Sequence, residues 1–476
     1  MSPVAPGVVF RDLEVAPPRS APTDTGVWFA AGAAERGPVD RSVALTSFAQ
    51  FTEVFGDRVS WSVLADSIET FFREGGGTAI VSRVVGPTPV YSSITLEASG
   101  AVDTLTVRAL EYGTYWDRLT VQVVAGGEGG TFVLVIADPS GELERSPDLA
   151  DIAAAVAWGL TSSYVRCIAV STGDPVVAAA TAMTGGSDDH ASIVTASYTA
   201  ALTRFGRDLG PGQVSVPGAT AQALQTVVMD HAAANNRVAL VDSPDTATVA
   251  TITANAAALA ALATARHGAL FGPWVRIPGL VAGTVRTVPY SALQAGLIAR
   301  ADAQTGLATE AAAGTRGVAA YALGLSQTYT DAEYGTLNEA GVSMGRVRFG
   351  QVTTYGFRGL GSGVWTQFTA ARLRMAIQAE AEVIATEFVF AKIDGRGLTQ
   401  ARLGGALNGM LLRYHAAGAL YGETPDEAYS VDTSDAVNTP ATKAEGELHA
   451  VITVRVSPFA ELVVIELVSL PITAQV

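Results

Sequence analysis

Apolar and polar positions alternate through the first half of Gly446–Ile472, GELHAVITVRVSPFAELVVIELVSLPI. In an extended strand Leu448, Ala450, Ile452, Val454 and Val456 share one face, while His449, Thr453 and Arg455 mostly line the other. Ser457-Pro458 interrupts the pattern. The second run, Leu462 to Leu470, is apolar on nearly both faces, with Glu461 and Glu466 as its charges. At the other end, GVVFRDLEV (Gly7–Val15) is a strand-like run set among Pro3, Pro6, Pro17, Pro18 and Pro22, with no hairpin partner nearby. Strands without a local partner can complete a sheet in another chain. Candidate inter-subunit exchange residues are therefore Val8, Val9 and Phe10 at the front, and Leu448, Ile452, Val454, Val463, Ile465 and Leu467 at the back.

Between these runs the period changes several times. GVWFAAGA, from Gly26, predicts a buried strand, and Ser47 is placed to cap a helix running to Phe55. A second helix is expected from Trp61 to Arg73, stopped by Gly75-Gly76-Gly77 and followed by the strand TAIVSRVV. The glycines come after a helix and before a strand, the reverse of a phosphate-binding loop. Pro87 and Pro89 mark a boundary, after which residues 90–186 read as a β-rich module with one helix around Pro147–Trp158. Residues 187–365 alternate strand and helix: GQVSVPG, then ATAQALQTVVMDHAAAN, RVALVDSP, a helix over Thr246–Ala265, and ALFGPWVRIP as a strand. That spacing predicts parallel β-α-β units with right-handed crossovers. Residues 366–476 carry helices near Gln367–Ala385 and Thr399–Ala417, then EAYSVDT and the tail. The expected class is α/β in the broad sense, an α+β multidomain chain. Its parts are an arm (1–25), the first part of the α/β core (26–89), the inserted module (90–186), the rest of the core (187–365) and a C-terminal assembly domain (366–476).

Composition narrows the function. The chain has 476 residues, 49% hydrophobic and 16% charged, which suits folded domains rather than disorder. Net charge is −15, and Lys392 and Lys443 are the only lysines, so no basic cluster exists to track nucleic acid. The single cysteine, Cys167, forms no internal disulfide and no Cys-based metal site. MSPVAPGVVF lacks a charged leader and a long apolar core. The window TATVATITANAAALAALATA is rich in Ala and Thr, and reads as a packed helix rather than a membrane span. No cofactor and no membrane insertion are expected, and the site of synthesis is the cytoplasm.

An enzyme site of an open α/β sheet would stand at the carboxyl ends of the core strands, Val216-Pro217-Gly218 and Asp242-Ser243-Pro244-Asp245. An α/β-hydrolase-like site would use Asp242, Ser243 and a histidine, yet the five histidines are scattered and no G-x-S-x-G elbow is present. Ser243 or Asp245 as cap of the next helix is the preferred reading. Asp188-Asp189-His190 reads as a solvated turn rather than a metal cluster, and Gly359–Gly363 as an interdomain linker.

Taken in order, several blocks resemble the contractile phage tail sheath family, which includes sheaths of R-type tailocins and extracellular contractile injection systems. These are PGVVF, VWFAAGAAERGPVDRSVALTSFAQFTEVFG, ETFFREGGGTAIVSRVVG, LVAGTVRTVPYSALQAGLIARADAQTGLATEAAAG, LNEAGVSMGRVRFGQVTTYGFR and LLRYHAAGALYGETPDEAYSVDT. The resemblance implies a structural polymer of six-subunit rings stacked helically around an inner tube, with interwoven arms and an outward-facing inserted module. It further implies contacts with baseplate and tail terminator proteins, assembly in the host bacterial cytoplasm and residence in the finished particle. The C-terminal domain would lie against the tube. Arg402 and Arg413, on the helix Thr399–Ala417, are then the candidate tube contacts, with Arg372 and Arg374 on the preceding helix next in line.

Overall fold

The computed structural model describes residues 24–461. Its centre is an eight-stranded sheet built from two separate stretches of chain. The strands are β1 (Trp28–Ala33), β2 (Val43–Leu45), β3 (Ala79–Val84), β4 (Gln213–Ser215), β5 (Val238–Asp242), β6 (Gly268–Gly272), β7 (Val342–Arg348) and β8 (Gln351–Thr354). Their order is β8-β7-β6-β5-β4-β1-β3-β2. The six strands from β7 to β3 run parallel, and the two edge strands are antiparallel. A parallel sheet of this kind is covered on both faces, which is why β1 and β3 are buried at every position.

The two faces hold separate cores. Trp28, Phe71, Phe271, Tyr290 and Leu293 pack on one side, under α1 (Leu64–Arg73) and α2 (Tyr290–Thr305). Phe29, Phe205, Met229 and Ile252 pack on the other, under the helices Gln222–Ala234 and Val249–Ala260. α1 and α2 approach closely because position 296 is glycine: a Cβ there would lie 2.6 Å from Glu74 Cβ and 2.8 Å from the Phe71 carbonyl. Ser47 caps the helix Phe48–Phe55, accepting from Gln50 N–H.

Residues 91–182 form two antiparallel sheets. One holds Tyr91–Ala98, Val102–Tyr112 and Val165–Ala169; the other holds Ala178–Ala182, Thr120–Ala125, Phe132–Asp138 and Gly141–Arg145. They share one core, including Leu105, Val107, Val121, Leu134, Ile136 and Val165. The chain leaves and re-enters the large sheet side by side, with Val90 bridged to Ser187 and Gly86 N–H donating to Asp188 O at 2.8 Å. Fully buried Arg83 fastens this neck by donating to the carbonyls of Ala34, Glu35, Gly37 and Tyr112.

Several local expectations are corrected. ALFGPWVRIP is two strands: β6 ends at Gly272, and Val275–Pro278 joins a small separate sheet with Val285–Val288 and Gly324–Leu325. The helix after β5 starts at Val249 with Thr248 as its cap, so neither Ser243 nor Asp245 serves; five residues of loop separate Ser243 from the first turn that needs a donor's partner. The module's helix is Ile152–Thr161 under an Asp151 cap, because Leu149 is held in a bridge to Phe132. The first half of Gly359–Gly363 is packed rather than loose, while Ser362 and Gly363 are exposed. Leu360 is buried and donates to Gly268 O, and a Cβ at Gly361 would meet Trp365 and Arg266.

The last part of the described chain is built on two long helices. α3 (Phe368–Thr386) puts Phe368, Ala371 and Met375 into the large core, and Leu373, Ala376 and Ile377 into a smaller one. α4 (Leu398–Ala416) adds Leu403, Leu407, Met410, Leu411 and Tyr414 to the smaller core. A two-stranded antiparallel sheet, β9 (Tyr429–Asp432) and β10 (Val451–Val454), closes it.

Candidate functional site

The crevice at the carboxyl ends of the sheet is the ordinary ligand position in an open α/β fold. Here it is filled by the protein itself. Asp242 is fully buried, and its carboxylate accepts from Gly218 N–H (3.0 Å), Ser291 N–H (2.7 Å) and Ser291 O–H (2.7 Å). The start of α2 is thereby tied to β5. Ser243 Oγ is buried with no hydrogen-bond partner among the described residues, and neither it nor Asp242 bonds a histidine. The acid, hydroxyl and base of the hydrolase reading are thus not assembled. His190 stacks on Trp61 at 4.0 Å with Nδ1 2.8 Å from buried Asp188, so the turn at the module's neck is only partly solvated. Among the described residues no group of acidic, His and Cys side chains is placed to hold a metal, and no helix is long and apolar enough to cross a membrane.

Burial pushes the Asp242 carboxyl up to about 6, outweighing the hydrogen bonds from Gly218 and from the start of α2 that favour its ionised form. Since the folded value lies above the unfolded one, the folded state holds the extra proton between about pH 4 and pH 6, and stability falls as pH rises through that window. The expected loss is about 3 kcal/mol between pH 4 and pH 7. Urea unfolding of wild type and Asp242→Asn across this range checks it: the wild-type minus variant difference should slope downward with pH, and a flat difference contradicts the assignment.

The features that remain are surfaces and edges. Among the described residues β9 and β10 pair only with each other, which leaves the outer edges of their sheet without a partner there. β10 makes its ladder to β9, and its continuation bonds Ala428, Tyr421 and Ala419 (Arg455 N–H to Ala428 O, Tyr421 N–H to Arg455 O, Ser457 N–H to Ala419 O). Leu448, Ile452 and Val454 are placed differently from the exchange expectation. They are packed against the small core of their own chain, because β10 finds its partner in β9. What they leave available is the outer edge of β10, with Val451 exposed. Two-stranded sheets are marginal alone and gain from a third strand.

The described residues next to both terminal runs are tied to the body of the protein. Thr25 Oγ1 donates to Asp302 Oδ2 at 2.6 Å, and Gln213 Nε2 donates to Thr25 O. Asp302 in turn is clamped by Arg372, whose Nη2 donates to both carboxylate oxygens at 2.6 and 2.5 Å. Arg372 is fully buried, which removes it as a surface contact. At the other end, Gln367 and Phe459 exchange two hydrogen bonds of 2.9 Å, and Arg358 Nε donates to Glu461 at 3.0 Å. Val8, Val9, Phe10, Val463, Ile465 and Leu467 lie outside the described residues.

α4 turns one side to solvent. Arg402, Gly405, Ala406, Gly409, Leu412 and Arg413 are all exposed and recur at helical spacing. Arg413 donates to Glu380 at 2.7 Å, and Arg402 lies 6.0 Å from the Phe388 ring. Gly405 and Gly409 each cost roughly 1 kcal/mol against alanine inside a helix. A Cβ at either would meet nothing within 4 Å, so the described residues supply no steric reason for them.

No family model matches the sequence, and no curated protein matches it. Solved structures do. The sheath tail protein of Listeria innocua aligns at a TM-score of 0.61 and 14% identity, over 88% of this chain and 90% of that one. A chain of the anti-feeding prophage helical sheath in its contracted state aligns at 0.57 and 15%, over 98% and 99%. A chain of the PVC sheath complex of an extracellular contractile injection system, also contracted, aligns at 0.58 and 15%, over 98% of both. The alignments run through the large sheet, the inserted module and the C-terminal unit alike, and this chain has the fold of the contractile tail sheath proteins.

Proposed function

We propose that this chain is the structural subunit of a contractile tail sheath. It polymerises as stacked hexameric rings around an inner tube, and its contraction drives the tube through a target envelope. The observation that carries the reading is the likeness along 98% of the chain to subunits of two contracted sheaths. The open β9-β10 sheet and the anchored roots of both terminal runs support it. In this reading Val8, Val9 and Phe10 of one copy, and Val463, Ile465 and Leu467 of another, add strands to the sheet to which Leu448, Ile452 and Val454 already belong. Backbone pairing of this kind holds neighbours together while domains slide, since it travels with the sheet as a rigid body. The inserted module faces outward. Baseplate and tail terminator proteins close the ends, assembly takes place in the bacterial cytoplasm, and the product is a particle tail.

Electron microscopy of the purified protein tests the reading. Long helical tubes are expected; a stable monomer that binds a small ligand stoichiometrically would overturn it in favour of an enzyme.

The exposed side of α4 is the proposed tube contact, with Arg402 and Arg413 facing carboxylates and the two glycines permitting close approach. Arg402→Glu is expected to weaken co-sedimentation with isolated tubes by roughly 1 kcal/mol per subunit, while sheath-only polymers still form. The difference should shrink at high salt, because exposed charges are screened over about 8 Å at physiological ionic strength. Equal binding by both proteins moves the contact elsewhere.

A further inference from the structure

The β7-β8 hairpin ends in a feature that its own chain does not explain. Arg348 pairs with Gln351, so the turn consists of Phe349 (φ 50°) and Gly350 (φ 78°). Both are left-handed, as in the tight hairpin turn that favours Asn-Gly, and a bulky side chain in that conformation is an outlier. Phe349 is also 96% exposed. Beside it, Arg348 makes no ion pair among the described residues; its guanidinium lies 4.3 Å from the Tyr355 ring. The tip thus offers an aromatic ring and an unpaired arginine, two side-chain types enriched at the energetic centres of interfaces.

The opposite end of the same sheet, at the amino ends of its central strands, carries a counterpart. Between the starts of β4 and β5 and the side of α3 lies a cleft of ≈ 200 Å³. A cavity of about 150 Å³ is enough to hold a benzene ring. Pro211, Ala379 and Val383 give it apolar walls, and Asp208 and Glu382 stand among its lining residues, the latter paired with Arg207. Asn236, also in the lining, is only 6% exposed, and its Oδ1 has no hydrogen-bond partner among the described residues. A buried acceptor left unpaired is costly unless a donor arrives.

We propose that these two features meet between copies of this chain: the Arg348-Phe349 tip of one copy seats in the cleft beneath β4 and β5 of the next. The ring fills the apolar part, and the guanidinium supplies donors to Asn236 Oδ1 and charge to Asp208 and Glu382. The tip follows the carboxyl end of β7, and the cleft precedes the amino ends of β4 and β5, so the contact runs head to tail along the strand direction. Such a contact is heterologous, the kind from which rings and helical filaments are built. The inference rests on the reading that the chain polymerises, and names one of the contacts that does it.

Two measurements test it. Phe349→Asn suits the left-handed turn, so the melting temperature should stay equal or rise, while the concentration needed for polymerisation rises at least about tenfold. Replacing Phe349 with photoreactive p-benzoylphenylalanine and irradiating the polymer should cross-link it to peptides containing residues 207–211 or 379–386 of another copy. Cross-links to any other surface, or polymerisation of Phe349→Asn at the wild-type concentration, overturn this contact and leave the sheath reading intact. A wild-type protein that stays monomeric at every concentration overturns both.

Discussion

Deleting residues 1–20 is expected to leave a folded protein that no longer polymerises. The deletion stops short of Thr25, whose hydroxyl donates to Asp302, so the buried cluster at the root of the arm is kept whole. What is removed is GVVF, whose Val8, Val9 and Phe10 would each contribute about 1.5–3 kcal/mol on full burial in a neighbour. That sum exceeds what a sliding interface of exposed ion pairs supplies, since each such pair gives at most about 1 kcal/mol. The expected pair of results is therefore a melting curve within a few degrees of wild type and no tubes on electron microscopy. Tubes of normal length formed by the deletion variant would show that the arm does not hold neighbours together.

The large sheet was partly legible because burial on both faces leaves a plain mark. WFAAGA and AIVSRV carry almost no polar residue with a long side chain, and Ser47 stands one residue before the helix it caps. What could not be read is which strands are neighbours. β1 lies between β3 and β4, although some 180 residues and a complete second β module separate β1 from β4; such pairing has no local signature. The apolar run ALFGPWVRIP looks continuous because both of its halves are buried, yet they belong to different sheets. The first tail strand looks free in the sequence because EAYSVDT, its partner, lies 18 residues upstream beyond a short helix, not across a turn.

The same asymmetry governs the candidate site residues. The exposed side of α4 follows from a repeat of small residues and arginines along one helix, a local pattern. Arg372 follows the same local pattern on α3, and nothing near it in the chain shows that Asp302 waits on another helix to bury it. Asp242 and Ser243 fit a catalytic pattern in sequence, but the group that occupies Asp242 is the start of α2, nearly 50 residues on. Phe349 carried no signal at all. Its interest comes from backbone conformation and exposure together, and a Phe-Gly pair in a sequence announces neither.

The Asp302–Arg372 pair is where stability and assembly meet, and Asp302→Ala should be the most destabilising single change considered for the described chain. Arg372 has no exposed side-chain surface, and both its charge partner and the acceptor of Thr25 would vanish together. Among the described residues its other bond is one to the Glu310 carbonyl at 3.3 Å, and Nε has none. Removing one member of a buried pair leaves an uncompensated charge and costs about 3–5 kcal/mol. A buried pair replaced as a whole behaves differently, because both desolvation penalties disappear with it. Asp302→Leu combined with Arg372→Met should therefore recover most of the loss, and urea denaturation of the three proteins measures the difference. The double variant also separates two roles of the cluster. It restores the core but still gives Thr25 no acceptor, so a variant that folds normally and assembles poorly would place the anchoring of the arm in the Thr25–Asp302 bond, whereas normal assembly would leave the arm's grip to the strand itself.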